Sequence, residues 1–419
     1  MSKLPTDSLA FALLHAAQVV AAVAAGRSLA DGLPAEVPVA ARPAVQDLAY
    51  GTLRRFGRDD YFLDRLLAKP LSEPVVRALL LVSLQRLESR PQAAHVTVDQ
   101  AVEAAGQLAG GRLRGLVNGV LRSYLRQSEA LSAAADSEPV ASARHPEWWL
   151  AALQRAWPAD WRAIAEAGNT APPMALRVNR RRTTRDDYAR RLAAAGIPAW
   201  PVGEVGLALA RPVPIDRLPG FSDGLVSVQD PGAQRAAELL APAPGSRVLD
   251  ACAAPGGKTA HLLEQADLDL LALDLKPARC RRIEENLRRL GLTATVRTAD
   301  CALPETWWDG RLFDAVLADV PCSASGVVRR HPDAKWLRRP EDIAGFAAAQ
   351  ARILEALWQV VRPGGKLLYA TCSVFPEENA GQVGRFLENH PTARRCHEEQ
   401  LLPDADHDGF YYCLLAKPD

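Results

Sequence analysis

The stretch RVLDACAAPGGKTAHLLEQA, residues 247–266, decides the fold class of the C-terminal part of the chain. It begins as a short apolar strand ending in Asp250, passes through a turn rich in Gly and Pro, and continues with the spacing of a helix. The same order recurs in DLLALDLKPARCRRIEENLRRLG, and further strands are predicted at ATVRTADC, FDAVLADVPCS, KLLYATCS and GFYYCLLAKP. Because strands alternate with helices, we predict that residues 226–419 form an α/β domain with a mostly parallel sheet.

Polar residues stand at the carboxyl ends of the predicted strands. They are Asp250, Asp274, Asp300, Asp319 and Cys372. Ligands of open parallel sheets bind beyond these strand ends. Packing alone gives little reason for so many polar side chains at one edge, so the sequence predicts a ligand site there.

The first loop of this domain, Cys252 to Lys258, narrows the class of ligand. It lacks the GxGxxG pattern of dinucleotide folds, and Cys252 stands where a phosphate-binding GxxxxGK[ST] loop needs glycine. Two adjacent glycines let the backbone approach a ligand at a helix N-terminus, whose N–H groups favour a carboxylate. Asp274 could accept hydrogen bonds from a ribose diol, and Asp300 could meet an adenine amino group. Together these groups predict S-adenosylmethionine; the alternative is an ordinary tight turn in an unrelated sheet.

Two segments, ADVPCS (318–323) and YATCSVFPEEN (369–379), carry the reactive groups. Pyrimidine C5 becomes nucleophilic only after a thiolate adds to C6, and its proton must leave once it has taken a sulfonium methyl group. This chemistry needs an activated cysteine, an acid near N3 and a proton acceptor near C5. Cys322, Cys372 and Asp319 meet these needs, whereas methylation of an amino nitrogen requires neither cysteine. The residues alone leave the two cysteines equally good as the nucleophile, and a strand cysteine can also be a packing residue.

The first part of the chain, residues 1–127, is predicted to be all-α, because apolar residues recur three and four apart and strand signals are nearly absent. Its last helix is basic, with Arg112, Arg114, Arg122 and Arg126. These arginines form either a solvated helix face or an RNA-facing one. Residues 128–144 have the small, polar composition of a linker.

Residues 145–225 are predicted to form a small α+β region that recognises RNA. The segment ALRVNRRRTTRDDYARRLAAAGI indicates a strand, a turn and a helix. Its arginines are closely spaced: Arg177, Arg180, Arg181, Arg182 and Arg185. We predict a phosphate-contacting turn here, since five arginines cannot easily all pair within so few residues.

The composition excludes several classes of protein. A formal net charge of +1 gives no overall attraction to nucleic acid or membrane, so a polyanion site must come from local arginine clusters. The seven cysteines are widely spaced without a CxxC pair, which predicts no metal site and no disulfide framework and fits a reducing cytoplasm. The alanine-rich segment 9–25 is better explained as a helix than as a signal peptide, and no membrane segment is predicted.

Several motifs resemble those of one enzyme family. CAAPGGKT, DVPCSASGVVRRHPD and ATCSVFPEEN resemble the cofactor, PC and TC motifs of the RNA cytosine-5 methyltransferases, the NOL1/NOP2/Sun family. VQDLAYGTLRR and VNGVLR resemble a NusB-type RNA-binding domain, a pairing similar to the bacterial RsmB (Sun/Fmu) branch that modifies 16S ribosomal RNA. The resemblance covers nearly the whole chain. It implies a NusB-like domain (1–127), an RNA-binding middle region (145–225) and a Rossmann-like, S-adenosylmethionine-dependent methyltransferase domain (226–419).

The resemblance also implies a role for each site residue. Cys372, in the TC motif, would be the nucleophile, and Cys322, in the PC motif, would assist proton removal or product release. The implied cofactor contacts are Cys252, Ala253, Ala254, Pro255, Gly256, Gly257, Lys258, Asp274, Asp300 and Asp319. The expected reaction is methylation at C5 of one cytosine of 16S ribosomal RNA, free or in an early small-subunit assembly intermediate. The enzyme is expected to be a cytoplasmic monomer with no membrane partner.

Some features leave room for other interpretations. The family usually has glycine where Ala324 stands and serine near Pro231 and Gly232, so these loops could follow another path. The segment RRHPDAKWLRR (329–339) is expected to bring phosphate contacts to the target nucleotide. The alternatives are a related enzyme acting on transfer RNA or another RNA, and a non-catalytic RNA-binding or antitermination factor.

Overall fold

The computed structural model describes residues 4–419, which divide into two compact units. The first unit holds the chain up to Thr170 together with Val328–Arg339. The second holds Ala171–Val327 and Pro340–Asp419. The chain therefore leaves the second unit for one short segment and then returns to it.

The first unit is built from helices, as predicted. Apolar residues three and four apart give each helix one buried face, and the faces of the helices up to Ala143 meet in one core. None of the helices in residues 4–419 is long and apolar enough to span a membrane. The helices up to Thr170 are α1 (Leu9–Ala24), α2 (Arg42–Leu66), α3 (Pro74–Ser89), α4 (Ala94–Ala105), α5 (Arg114–Asp136), α6 (Pro139–Ala143), α7 (Glu147–Ala156) and α8 (Trp161–Asn169).

Residues 128–144 are mostly helical, so the prediction of a linker is wrong as a description of this segment. Helix α5 continues to Asp136, where Leu131 and Ala135 are buried, and α6 follows almost at once. The composition is small and polar, but alanine is the strongest helix former, and two buried apolar side chains help to tie the segment to the core. The first unit accordingly continues to Thr170.

The second unit begins with a small α+β layer, which confirms the fold predicted for this region. Its helix, α9, begins after Thr184, whose hydroxyl accepts a hydrogen bond from the Asp187 N–H at 3.1 Å. Tyr188 and Leu192 of α9 are buried in the same core as the strands. The elements are β1 (Ala175–Val178), α9 (Arg185–Ala194), β2 (Ala199–Val202), β3 (Gly206–Leu209) and β4 (Val226–Val228), with antiparallel strands in the order β2-β3-β1-β4.

The rest of the second unit is a seven-stranded sheet in the order β10-β11-β9-β8-β5-β6-β7. The five strands from β9 to β7 are parallel, and β11 and β10 extend the sheet antiparallel at one edge. The α/β prediction is confirmed, although β10 was not expected. The elements are α10 (Pro231–Leu240), β5 (Arg247–Asp250), α11 (Gly257–Gln265), β6 (Asp269–Asp274), α12 (Pro277–Leu290), β7 (Thr295–Thr298), β8 (Phe313–Asp319), α13 (Ala334–Leu337, in the first unit), α14 (Pro340–Val360), β9 (Val361–Thr371), α15 (Ala380–Asn389), β10 (Arg394–Leu401) and β11 (Phe410–Ala416).

The order of the parallel strands creates a crevice at one edge of the sheet. The chain runs outward from β5 to β6 and β7, then returns to β8 on the other side of β5. Ligands of such sheets bind outside the carboxyl ends at this reversal. Asp250, Asp274 and Asp319 end β5, β6 and β8, and Cys372 directly follows β9, so the predicted residues share this edge.

The segment Val328–Arg339 packs within the first unit, and two of its basic residues cannot make the phosphate contacts expected of it. Lys335 and Arg329 are almost fully buried and so are not available to RNA. The Lys335 ammonium donates to three acceptors, the carbonyl oxygens of Arg54 (3.1 Å) and Arg144 (2.9 Å) and Oδ1 of Asn169 (2.9 Å). Burial, with the nearby arginines, lowers the pKa of Lys335 well below its usual value.

Candidate active site

The loop after β5 is shaped to let a ligand approach the N-terminus of α11. Gly256 has a φ of 93°, in the left-handed region that glycine adopts without strain. A Cβ at this position would lie 3.2 Å from Ile283, so a larger residue would crowd the neighbouring helix. Gly257 begins α11, whose first N–H groups have no partner within the helix and can receive an anion. The loop therefore fits the carboxylate of S-adenosylmethionine.

Asp274 lies beside this loop, where the sequence predicted it. Its side chain is almost fully buried and accepts hydrogen bonds from the Ala254 N–H (3.3 Å) and the Lys276 N–H (3.2 Å). Arg279 lies 3.4 Å from the same carboxylate. A carboxylate has about four acceptor sites, so Asp274 keeps capacity for the hydroxyls of a ribose.

Asp300 occupies the loop after β7, next to Asp274. The Ala299 N–H donates to the Asp274 carbonyl at 3.1 Å, which holds the two strand ends together. The sulfur of Cys301 lies 3.7 Å from that of Cys252 in the glycine loop. The structure thus brings the predicted cofactor residues of three loops into one region.

Lys258 links this region to the carboxyl end of β8. Its ammonium donates to Oδ2 of Asp319 at 2.6 Å. Burial alone would lower the pKa of Lys258, but the charge and hydrogen bond of Asp319 outweigh it, and the pKa is raised. Lys258 therefore remains a cation that orients Asp319, a contact that the sequence did not indicate.

The two cysteines of the PC and TC motifs meet in space. Cys322 follows β8 and Cys372 follows β9, and their sulfur atoms lie 3.4 Å apart. Both thiols are partly exposed and unbridged. The Gly326 N–H donates to the Cys372 carbonyl at 2.9 Å, which ties the loop after Cys322 to the end of β9. The prediction that two strand-end thiols share one site is consistent with this geometry.

The groups around Cys322 affect the pKa of its thiol. The hydrogen bond with Cys372 raises the pKa of Cys322 well above the usual thiol value, and burial and the carboxyl group of Glu378 add to the effect. Because a thiolate is the reactive form of cysteine, a thiol that keeps its proton is a poor nucleophile. These neighbours therefore favour the protonated form of Cys322.

Glu378 holds both cysteine loops, and the sequence assigned it no role. It is fully buried, and its carboxylate accepts from the Ser323 N–H (2.8 Å), the Ser323 hydroxyl (2.5 Å) and the Ser373 hydroxyl (2.6 Å). Ser323 and Ser373 directly follow the two cysteines. One carboxylate thus constrains the spacing of both thiols. The only signal in the sequence was the acidic pair after Pro376, within the motif already quoted.

Asp250 lies behind the reactive groups, at the end of β5. Its Oδ2 accepts a hydrogen bond from the Thr259 hydroxyl at 2.6 Å, and Oδ1 has no partner within residues 4–419. Burial raises the pKa of Asp250 to about 7, despite the opposing effect of the Thr259 hydrogen bond. This group anchors the start of α11 rather than facing the substrate.

Arg177 connects the small α+β layer to the cofactor loop. It is fully buried and donates to both carboxylate oxygens of Glu264 (2.8 and 2.7 Å) and to the Gly257 carbonyl (2.6 Å). It also donates to Oε1 of Gln229 at 2.5 Å. A residue predicted to meet phosphates instead supports the first turn of α11.

All five arginines of this segment have partners. The phosphate-contacting turn was predicted because they could not easily all pair, and that premise is wrong. Arg181 reaches Asp267 at 2.7 Å and Arg180 reaches Glu204 at 3.0 Å. The remaining two donate to carbonyl oxygens: Arg182 to Leu290 and Asp223, and Arg185 to Gly203 and Glu204. These partners lie far away in sequence, so local spacing could not reveal them. RNA contact by the partly exposed Arg180 and Arg181 stays a prediction.

Comparison with known families matches three parts of the chain. Residues 237–416 match the family model described as 16S rRNA methyltransferase RsmB/F. Residues 145–216 match the ferredoxin-like domain of RsmF/B-like methyltransferases, and residues 11–126 match the NusB family. The NusB-like and methyltransferase folds predicted from the sequence are confirmed.

Similar proteins extend over almost the entire chain. Ribosomal RNA small subunit methyltransferase B of Vibrio cholerae is 45% identical over 407 residues, covering 94% of this chain and 94% of that protein. The protein of the same name from Pseudomonas putida is 45% identical over 426 residues, covering 96% and 98%. The crystal structure of PH0851 has the same fold, with a TM-score of 0.80 at 22% identity, covering 99% of this chain and 100% of that one. The chain therefore belongs to the RsmB/F family of S-adenosylmethionine-dependent methyltransferases.

Proposed function

We propose that the chain methylates C5 of a cytosine in 16S ribosomal RNA through a covalent bond between Cys372 and C6 of the base. The observation that carries this proposal is the pair of sulfurs 3.4 Å apart, which follow the ends of β8 and β9 beside Asp319. Methylation of a nitrogen needs no thiol, whereas methylation at C5 needs one thiolate as the nucleophile and a proton acceptor, which the second sulfur can supply. The names of the relatives, which are small-subunit ribosomal RNA methyltransferases, support this choice of RNA.

The proposed steps assign one task to each residue. The Cys372 thiolate forms the S–C6 bond, and the electron pair of the C5–C6 double bond moves to make C5 nucleophilic. Asp319, whose Oδ2 is held by Lys258, gives a proton to N3 as C5 becomes nucleophilic and takes it back when the ring is restored. S-adenosylmethionine supplies an electrophilic methyl group when bound.

Release of the product falls to Cys322. As the C5–C6 double bond re-forms, the C5 proton leaves and the S–C6 bond breaks. Cys322 gives its proton to the departing Cys372 sulfur, to which it is hydrogen bonded, and takes up the proton lost from C5. Its raised pKa favours the second half of this exchange, since the conjugate base of a weak acid takes up a proton strongly. One proton is released to solvent when Cys372 returns to the thiolate.

The two cysteines are expected to fail in different ways when replaced. In Cys322→Ala the attack and the methyl transfer proceed but release stalls, so a covalent protein–RNA complex should accumulate. In Cys372→Ala no adduct can form, and both turnover and the complex should disappear. Denaturing gels with labelled RNA and labelled cofactor measure both outcomes. Cys396→Ala, which removes an exposed thiol from β10, is the matched control and should behave as wild type.

A trapped complex in Cys372→Ala and none in Cys322→Ala would exchange the two roles. Normal turnover in both variants would refute the cysteine mechanism altogether. The choice of RNA is tested separately, by comparing methyl transfer to 16S ribosomal RNA and to transfer RNA, and by bisulfite sequencing of ribosomal RNA from a deletion strain. Preference for transfer RNA would assign the chain to another substrate while leaving the chemistry intact.

A further inference from the structure

A groove of about 710 Å³ lies on the first unit, lined by α4 and α5. Its lining includes the apolar side chains of Val98, Val102 and Leu125, and Leu125 is 40% exposed although it is a large hydrophobic residue. The basic residues that line the same groove come from α5. A surface that combines exposed apolar area with concentrated charge is typical of a binding site.

Four polar residues of the groove, three of them arginines, form a regular row. Arg114, Asn118, Arg122 and Arg126 follow one another every four residues, so they lie near one face of α5 at steps of about 6 Å along the helix. This step is comparable with the separation of successive phosphates along an RNA strand. The three arginines therefore lie about 12 Å and about 6 Å apart along the helix, near whole multiples of that separation.

The three arginines of this row have no carboxylate partner anywhere in residues 4–419. Arg122 donates to Oδ1 of Asn118 at 3.1 Å, within the row itself, and Arg126 donates to the Ser123 hydroxyl at 2.9 Å. Arg112, which lies outside the groove, instead pairs with Glu73. The groove also contains Asp99, on the α4 side, so its positive charge is confined to the α5 wall.

We propose that this groove binds a single-stranded segment of the RNA substrate, with phosphates on Arg114, Arg122 and Arg126 and bases against the apolar floor. The proposal rests on the proposed function and adds a second surface that binds the RNA at a distance from the target base. One-sided charge beside apolar area suits a single strand, whose bases are free to make contacts, whereas a duplex hides its bases. An acidic protein segment could also pair with the three arginines. Binding of such a segment in place of RNA is the competing outcome of the test below.

The test compares three forms of the full-length enzyme. The first carries Arg114→Gln, Arg122→Gln and Arg126→Gln. The second replaces the same three residues by Lys, which keeps the charge. The third is a control with Arg65→Gln, Arg90→Gln and Arg155→Gln, which removes equal charge from exposed positions of the same unit outside the groove.

Affinity for a 16S ribosomal RNA fragment is measured by fluorescence anisotropy between 50 and 200 mM salt. Each lost contact to a single strand lowers the slope of log K against log salt by about 0.7, so three lost contacts lower it by about 2. Over this range wild-type affinity should fall roughly 20-fold more than that of the Gln variant. The control should keep the wild-type slope, and the Lys variant should recover most of it. KM for RNA should rise in the Gln variant while kcat at saturating RNA stays unchanged.

A wild-type salt slope in the Gln variant would overturn the proposal, and so would an equal change in the control. Unchanged RNA binding with lost capture of an acidic protein partner would assign the groove to protein instead, which also overturns it. Every variant is also assayed for methylation of cytosine at saturating RNA. This assay tests the proposed function separately from the binding of RNA to the groove. If the wild-type enzyme formed no methylated cytosine, the proposed function itself would be refuted.

Discussion

Replacing Glu378 should change the positions of the two thiols and leave the affinity for the cofactor unchanged. Its carboxylate is fully buried and accepts hydrogen bonds from Ser323, Ser373 and Gln350. In Glu378→Ala these donors lose a buried partner, at about 1–3 kcal/mol for each group left unsatisfied. We therefore expect a loss of several kcal/mol in the free energy of unfolding, a large share of the 5–15 kcal/mol typical of a domain.

Glu378→Gln is the sharper variant, because it keeps the shape of the side chain. Oε1 receives the Ser323 N–H and the Gln350 amide and must remain an oxygen, whereas Oε2 receives only hydroxyls, which can rotate to accept from an amide. The cost should then be about 1–2 kcal/mol, the loss of charge from these bonds. Small shifts of Cys322 and Cys372 should nevertheless lower kcat, since a displacement of about 1 Å can cost roughly 100-fold.

Three measurements check this expectation. Transfer of labelled methyl groups at saturating RNA gives kcat, calorimetry gives the affinity for S-adenosylmethionine, and urea denaturation gives the free energy of unfolding. Glu377→Gln is the matched control, because Glu377 is the exposed neighbour of Glu378. The reasoning is refuted if both Gln variants have the same kcat, or if Glu378→Gln loses cofactor affinity as much as turnover.

Three further predictions concern single residues of the same domain. Asp274→Ala should weaken S-adenosylmethionine binding by more than the ~1 kcal/mol of a neutral hydrogen bond, because a charged acceptor is lost; unchanged affinity by calorimetry would remove Asp274 from the site. Ala324→Gly should raise the free energy of unfolding by about 0.5 kcal/mol, because Ala324 has a φ of 62° that strains a residue with a Cβ; lower stability in urea would contradict this. Asp250→Asn should flatten the pH dependence of stability between about pH 4 and 7: the raised pKa of Asp250 means that the folded protein holds the extra proton, so its contribution is present at low pH and is lost as pH rises through about 7. Equal pH slopes in wild type and Asp250→Asn would show that the group titrates normally.

The parallel sheet could be predicted because its strands are short apolar runs bounded by turns. The same reasoning missed β10, Arg394–Leu401, whose sequence RRCHEEQL has no apolar pattern. It pairs only with β11 and lies at the edge of the sheet, where most of its side chains meet solvent. Edge strands of this kind carry little hydrophobic signal, since only one side of the strand pairs and neither face is fully buried.

The sequence could place the residues proposed to react at one edge of the sheet, but it could not reveal the residues that position them. Cys322, Cys372 and Asp319 are informative because their chemistry and place at strand ends need no knowledge of distant contacts. Arg177 and Glu264 lie far apart in sequence, and neither residue type by itself indicates a fully buried pair. The same holds for Lys335, whose acceptors come from three separate helical segments or their ends. Polar side chains are expected at the surface, so a sequence gives no sign of those that are buried with partners.

The buried charges of the second unit suggest why polar anchors are used where apolar packing would cost less. Replacing a buried ion pair with apolar residues is often neutral or stabilising, so such pairs are weak evidence for stability alone. Arg177 donates to the carbonyl of Gly257, the first residue of α11, and Lys258 donates to the carboxylate of Asp319. Glu378 accepts hydrogen bonds from both cysteine loops. Hydrogen bonds require a set distance and angle, whereas apolar side chains can shift while they stay in contact. Each of these charged groups therefore fixes the position of the group that it binds. Because the proposed chemistry places two sulfurs and one carboxylate at set distances around a single base, we infer that these charges are retained for geometry.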